Sequence, residues 1–471
     1  MSIFLLVDFG STYTKIIAVD IDKEIILGTA QSPTTINTDI TIGLNNAITD
    51  LTKKYDLNIN NVQGKYASSS AAGGLKMVAI GLVPELTLEA ARRAALGAGA
   101  KVVSGYGFEI DEMIIRDIES AKCDIVLLSG GTDGGDKKVI IHNAKLIADS
   151  NIDCPILVAG NRTATNEVKK ILEEKGKKVY TTKNVLPILE VVDVEPAQSL
   201  IREIFIAHII KAKGLAKAQE YIGKDIVPTP KASLQAAALL ADGIGKESGI
   251  GSLIVVEIGG ATTNIHSVAD ISPVTPQTII KGLPELREKR TVEGDLGIRY
   301  NAQTIYDLVG SDKLNCVLRS LLTTQNSEIV DINQYINKIT NHVNYVPSSL
   351  VEFNLDIVLA KSAVSIAVER HAGTLKQEHS ILGETMVQYG KNLLNVDNII
   401  GTGGVFKYGI HPEKILQSAL FSQEKPWSLM PKAPKAYIDS DYILFGIGLL
   451  SKDFPLQALR IAKKYLKHTR I

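Results

Sequence analysis

The chain has 471 residues, more than one hydrophobic core usually serves, so two or more domains are expected. Hydrophobic residues make up 45% of it and charged residues 22%, which excludes a disordered or low-complexity chain. Lysine plus arginine equal aspartate plus glutamate at 51 each, so the net charge advertises neither a nucleic-acid nor a membrane partner, and neither is expected.

The N-terminal run Phe4-Leu5-Leu6-Val7 is too short for a signal peptide and has no basic flank, and no stretch approaches the roughly 18 apolar residues of a membrane span, which points to the cytoplasm. It reads as a strand that turns through Asp8-Phe9-Gly10-Ser11-Thr12-Tyr13-Thr14-Lys15 into a second strand, Ile16-Ile17-Ala18-Val19, making a hairpin. Pro84 suits the first turn of a helix over Glu85 to Leu96. A strand over Ile125-Val126-Leu127-Leu128 then breaks on Ser129-Gly130-Gly131-Thr132-Asp133-Gly134-Gly135-Asp136. That loop reads equally as a phosphate-facing turn or as a glycine-rich connection of an α/β insertion spanning about 125–190. Ser199 is placed to cap a long helix from Leu200 to Ile222, stopped by Gly223, and Ala232 to Leu240 is another strong helix former.

The stretch from Asp242 to Gly249 interrupts the pattern and suggests a boundary, giving halves 1–250 and 251–471. The second half begins as the first does. Leu253-Ile254-Val255-Val256 runs into Glu257-Ile258-Gly259-Gly260-Ala261-Thr262-Thr263-Asn264 and returns as Ile265-His266-Ser267-Val268. An apolar strand, an acid, a glycine turn bearing hydroxyls and a returning strand thus occur twice, so an internal duplication is expected. Further on, Ile399-Ile400-Gly401-Thr402-Gly403-Gly404 is a strand that breaks on glycines, and Pro455 to Ile471 reads as a terminal packing helix with cations toward its end. Cys123, Cys154 and Cys316 are few and far apart in sequence, which fits reduced thiols. His142, His208, His266, His371 and His411 lack metal-ligand spacing and read as surface or satisfied core histidines.

A tight turn between strands converges backbone N–H groups, and glycine lets phosphate oxygens approach them. One such turn is more often an ordinary hairpin; two can grip a polyphosphate from both sides. Gly10, Ser11, Thr12, Gly259, Gly260, Thr262 and Thr263 are the candidate phosphate contacts, with Lys15 as the point charge. Asp8 and Glu257, at the two strand ends, are the candidate metal-ordering and catalytic acids, suited to Mg²⁺ held through its water shell. There is no GxxxxGK[ST] loop and no GxGxxG after the first strand.

The segments Asp8-Phe9-Gly10-Ser11-Thr12, Glu257-Ile258-Gly259-Gly260-Ala261-Thr262 and Gly401-Thr402-Gly403-Gly404 resemble the phosphate-1, phosphate-2 and adenosine motifs of the actin, sugar-kinase and DnaK-type ATPases. That resemblance implies an α/β fold of two duplicated ribonuclease-H-like domains, the actin-like ATPase fold, with ATP in the interdomain cleft and adenosine against Gly401, Gly403 and Gly404. Glu257 departs from the aspartate most members carry. With Ala67-Ser68-Ser69-Ser70-Ala71-Ala72-Gly73-Gly74-Leu75, Gly130-Gly131-Thr132-Asp133-Gly134-Gly135 and Gly294-Asp295-Leu296-Gly297, the chain more closely resembles the MutL-type accessory proteins of glutamate mutase (methylaspartate mutase); the mismatch-repair protein of the same name is not meant. The resemblance implies an ATP-dependent reactivating chaperone that releases damaged cobalamin from an adenosylcobalamin-dependent mutase, with weak ATPase activity. A small-molecule kinase and a non-catalytic nucleotide-gated scaffold are the rival readings. Asp133, Asp136 and Asp295 stand as unranked candidates for the base that activates a water.

Overall fold

A computed structural model describes residues 2–35, 38–70, 75–98, 100–204, 215–321, 331–380 and 383–471. The chain divides into two compact units, one of Met1–Gly73, Lys217–Lys281 and Glu285–Ile471, the other of Gly74–Ala216 with Gly282–Pro284.

The first unit is built on two sheets. In one, β1 (Ile3–Phe9), β2 (Tyr13–Asp20) and β3 (Ile25–Pro33) form an antiparallel meander. On the other side of β1 lie β4 (Val62–Ser69) and then β10 (Val227–Pro228), both parallel. In the other sheet, β13 (Leu253–Ile258), β14 (Thr263–Val268) and β16 (Glu288–Glu293) form the meander. There β19 (Asn398–Gly403) and β20 (Lys435–Ile438) follow in parallel beside β13, and β21 (Lys467–Thr469) adds an antiparallel edge. Both sheets therefore run third, second, first, fourth, fifth, with the same pattern of directions. This is the ribonuclease-H-like arrangement present twice, as in the actin-like ATPase fold.

β1 and β13 read as near-continuous apolar runs because they are buried on both faces. The helices Thr229–Asp242 and Leu444–Leu450 share one core with both sheets: Phe4, Leu6 and Val19 from the first, Leu253, Val255 and Ile400 from the second. Their crossing is close enough that a Cβ on Gly448 would stand 1.8 Å from the Ala232 carbonyl oxygen, so only glycine fits. A second core on the far side of the second sheet gathers the 22-residue helix Leu350–His371, which Ser349 caps through Glu352 N–H.

The second unit is a parallel sheet of β5 (Leu75–Ile80), β6 (Ala100–Tyr106), β7 (Ile125–Leu128), β8 (Ile156–Val158) and β9 (Val179–Thr181). Its order, β6-β5-β7-β8-β9, is that of a doubly wound α/β sheet. The glycine loop after β7 leads into the helix Lys138–Asp149 and is pinned from below: Asn161 donates to the Gly135 and Asp136 carbonyls, and Asn184 to Gly131 O and Asp133 Oδ1.

Some local expectations change. Ser199 does not cap a helix but lies inside one, Glu195–Ile204, and the middle of the expected Leu200 to Ile222 helix, with His208, falls outside the described residues. The C-terminal helix stops at Tyr465, because the last residues pair with β20 as a strand. Cys123 and Cys154 are neighbours in space. Among the described residues no helix is long and apolar enough to cross a membrane.

Candidate functional site

The two hairpins place their turns tip to tip. In the first, Gly10 N–H donates to Tyr13 O at 3.1 Å, and a Cβ on Gly10 would come within 2.6 Å of that same oxygen. In the second, Gly259 N–H donates to Thr262 O at 2.9 Å. A Cβ on Gly260 would stand 2.6 Å from Thr12 Oγ1, so the missing side chain makes room for the opposite tip. Thr12 Oγ1 is buried without a hydrogen-bond partner, an uncommon state for a buried hydroxyl and one an acceptor-rich ligand would relieve.

Both tips line a cavity of about 410 Å³. Gly10, Ser11, Thr12, Lys15, Glu257, Gly259, Gly260, Thr262 and Gly404 face it. Val343, Val346, Pro347 and Phe353 give the cavity an apolar wall. Asp8 does not line the cavity. It is buried directly behind Lys15, its register partner across the hairpin. Asp8 Oδ1 accepts from Ser68 Oγ at 3.0 Å and Thr229 Oγ1 at 2.6 Å, while Lys15 Nζ lies 3.6 Å from Oδ2. Burial raises the Asp8 carboxyl above its ordinary range against the pull of Lys15, and burial lowers Lys15 against the pull of Asp8 and Glu257.

Glu257 accepts from Ser233 Oγ at 3.2 Å, Asn264 Nδ2 at 3.1 Å and His266 Nε2 at 3.3 Å. Burial pushes its carboxyl up, but the His266 and Asn264 hydrogen bonds with the Lys15 charge carry it below the ordinary value. Burial also keeps the His266 imidazole below its usual range, so we assign a neutral ring donating through Nε2 to an ionised Glu257. His266 is thus part of the site's support, a role visible in sequence only through the hairpin register that sets Glu257 opposite Asn264.

The remaining candidates do not line the cavity. Thr263 is buried and donates to Leu296 O at 2.7 Å. Gly401 faces the Phe406 ring, 2.5 Å from where its Cβ would be, and Gly403 at φ 115° passes close to Ile258 O. Residues 71–74 of the Ala67 to Leu75 segment lie outside the described residues. The Gly294-Asp295-Leu296-Gly297 turn packs beneath the second hairpin, Gly297 against the Ala261 backbone, and Asp295 pairs with Arg370. Asp133 and Asp136 hold backbone N–H groups of Arg162 and Val139 in the second unit.

The family profile described as MutL protein matches residues 4–466. The chain belongs to the MutL protein family. Protein MutL of Clostridium tetanomorphum is 46% identical over 466 residues, covering 99% of each chain. Among solved structures, xylulose kinase from Lactobacillus acidophilus covers 100% of this chain and 93% of its own at 10% identity and a TM-score of 0.36. Glycerol dehydratase reactivase covers 96% and 99% at 10% identity and a TM-score of 0.34. Component A of (R)-2-hydroxyglutaryl-CoA dehydratase from Acidaminococcus fermentans covers 99% of both chains at 8% identity and a TM-score of 0.30. The fold itself rests on the repeated strand order.

Three features of this MutL-family site had no local signal in sequence. Tyr442 lays its ring 3.5 Å from Lys15 Nζ and its hydroxyl 3.5 Å from Asp8 Oδ2, so the lysine sits between a carboxylate and an aromatic face. Asp439, capping the Ile443 and Leu444 N–H groups, also accepts from Thr402 of β19 and fixes the loop that carries Tyr442. Arg299 and Asp356 form a bidentate pair at 3.0 and 2.7 Å on the cavity wall.

Proposed function

We propose that the cavity holds ATP, and that the protein is an ATP-dependent reactivating chaperone or accessory factor for an adenosylcobalamin-dependent mutase, glutamate mutase or an aminomutase. The observation that carries the nucleotide reading is the buried, unpartnered Thr12 hydroxyl facing Gly260 at the meeting of two glycine turns, with Lys15 in the same cavity. Membership of the MutL family supports the mutase partner, through the accessory role that the resemblance implies.

In this reading Gly10, Ser11, Thr12, Gly259, Gly260 and Thr262 serve the phosphates, Lys15 the phosphate charge and Gly404 the adenosine, while Thr263, Gly401 and Gly403, set back from the cavity, shape the turn and strand that carry them. Asp8 and Glu257 would order Mg²⁺ through water, and the ion would neutralise charge on the terminal phosphates. The support for this fit is two carboxylates close to one ammonium, Glu257 lining the cavity and Asp8 buried behind Lys15. This reading keeps 1–250 and 251–471 as the two halves, and a phosphate gripped by both tips would favour their closed state. The protein works in the cytoplasm.

A non-catalytic nucleotide-gated scaffold is the second reading, favoured by the three donors that already occupy Glu257 and leave it poorly placed as a base. ATP turnover is measured alone and with a cobalamin-inactivated mutase. Stimulation by that enzyme supports the chaperone, tight ATP binding without turnover supports the scaffold, and no binding of Mg-ATP refutes both.

A further inference from the structure

Cys123 and Cys154 stand 31 positions apart in sequence, yet their sulfurs are 3.6 Å apart and share a hydrogen bond. The fold brings them together where two neighbouring inner strands of the second unit's sheet begin. Cys123 follows the helix Glu112–Ala121 and its left-handed cap Lys122, two residues before β7, and Cys154 lies two residues before β8. The strands pair in register, Val126 with Ile156, and Val126 N–H donates to Pro155 O at 3.0 Å, so both corners are held by the ladder. Both thiols are half-buried, accessible to a small reagent at one side and packed on the unit's core at the other. A disulfide has a sulfur separation near 2.05 Å, so bonding asks for a closure of about 1.5 Å, within the reach of side-chain rotation.

We propose that Cys123 and Cys154 form a reversible dithiol–disulfide switch, oxidised by a low-molecular-weight disulfide of the glutathione class. The Cys123 thiolate attacks one sulfur of glutathione disulfide, giving a mixed disulfide and one glutathione thiolate. Cys154, deprotonated to the released thiolate, attacks the Cys123 sulfur and expels the second glutathione. In total two protein thiols and one glutathione disulfide become one protein disulfide and two glutathione thiols, with no other reactant. The order of attack follows from the shared proton: Cys154 donates it, which lowers the Cys123 thiol below its usual range and, with burial, raises Cys154. The bond staples the starts of β7 and β8, and the span it closes contains β7, the glycine turn of residues 129–136 and the helix Lys138–Asp149.

The test uses the full chain with Cys316→Ser, which removes the exposed third thiol. The folded protein is equilibrated across glutathione to glutathione disulfide ratios, quenched by alkylation and mapped by peptide mass. Both thiols are expected to disappear with one midpoint, yielding a cross-linked peptide without retained glutathione. Cys154→Ser in the same background should leave Cys123 carrying one glutathione. Thiols that stay titratable at the oxidising end, a glutathione on each cysteine, or equally ready pairing in guanidinium-unfolded chain would overturn the proposal.

Discussion

Asp8 and Lys15 are register partners across the first hairpin, their charged groups 3.6 Å apart, the aspartate buried and the lysine partly exposed at the cavity. The aspartate is the better buried of the two, and Ser68 and Thr229 donate to its other oxygen. It therefore holds the lysine at the cavity edge from behind. Asp8→Asn keeps an oxygen for Ser68 and Thr229 but removes the charge facing Lys15. We expect the change to destabilise the protein by roughly 1–3 kcal/mol in a denaturant titration. Mg-ATP affinity by calorimetry should fall at least tenfold, with the affinity for metal-free ATP less affected. Unchanged affinity with and without Mg²⁺ would remove Asp8 from the site.

Gly260→Ala tests the contact between the turns. The new methyl would meet Thr12 Oγ1, the end of a side chain that can rotate, rather than backbone. Stability should change by no more than about 1 kcal/mol, while nucleotide affinity drops because the Thr12 hydroxyl is displaced. Gly10→Ala should behave differently, since its methyl would meet the Tyr13 carbonyl and the turn itself must open, at a cost of roughly 1–3 kcal/mol. Comparing the two unfolding midpoints separates a ligand contact from a turn requirement.

What the sequence made legible was local. The acid, glycine turn and returning strand of residues 8–19 and 257–268 encode their own backbone geometry, and the twice-repeated strand order follows from that duplication. Thr229 and Tyr442 reach Asp8 from 221 and 434 positions away, as single side chains without a pattern around them, so nothing in sequence joins them to it. Gly401 shows a different difficulty: a glycine marks a close approach but not of what, and here the neighbour is Phe406. His266 was a histidine without metal spacing, and only strand register brings it to Glu257.

The cavity's apolar wall should respond to acid. Tyr345 and Ser348, beside the wall residues Val346 and Pro347, are tied to Glu352, which accepts from Lys338, the Ser348 N–H and the Tyr345 hydroxyl. Burial raises this carboxyl, but those donors overcome it and bring it down to about 2. A depressed carboxyl stabilises the folded state fully above its unfolded value of 4.5, and the gain is lost as pH falls from 4.5 toward 2. Glu352→Gln should therefore lower stability at pH 7 by roughly 1 kcal/mol, the figure allowing for solvent screening. The difference from the parent should shrink on acidification. A gap that stays constant from pH 7 to pH 3 would show that the contribution is packing rather than charge.

The most demanding contact is the Arg299 and Asp356 pair, because both ends are buried and Tyr335 donates a further hydrogen bond to Asp356 Oδ1 at 2.8 Å. Arg299 also links the hairpin to the wall: its backbone N–H donates to Gly260 O at 2.9 Å while its guanidinium holds the helix Leu350–His371. Arg299→Met leaves the Asp356 charge buried with one hydroxyl donor, and should destabilise by about 3–5 kcal/mol. Asp356→Leu alone should cost a similar amount by stranding the guanidinium. The double variant removes both charges at comparable volume, so it should recover much of the loss, and a double-mutant cycle read from denaturant midpoints should give a large favourable coupling. Additive losses would mean that each residue acts through packing alone. Because the backbone hydrogen bond to Gly260 survives in the double variant, the second turn should keep its position, and nucleotide affinity should recover with stability.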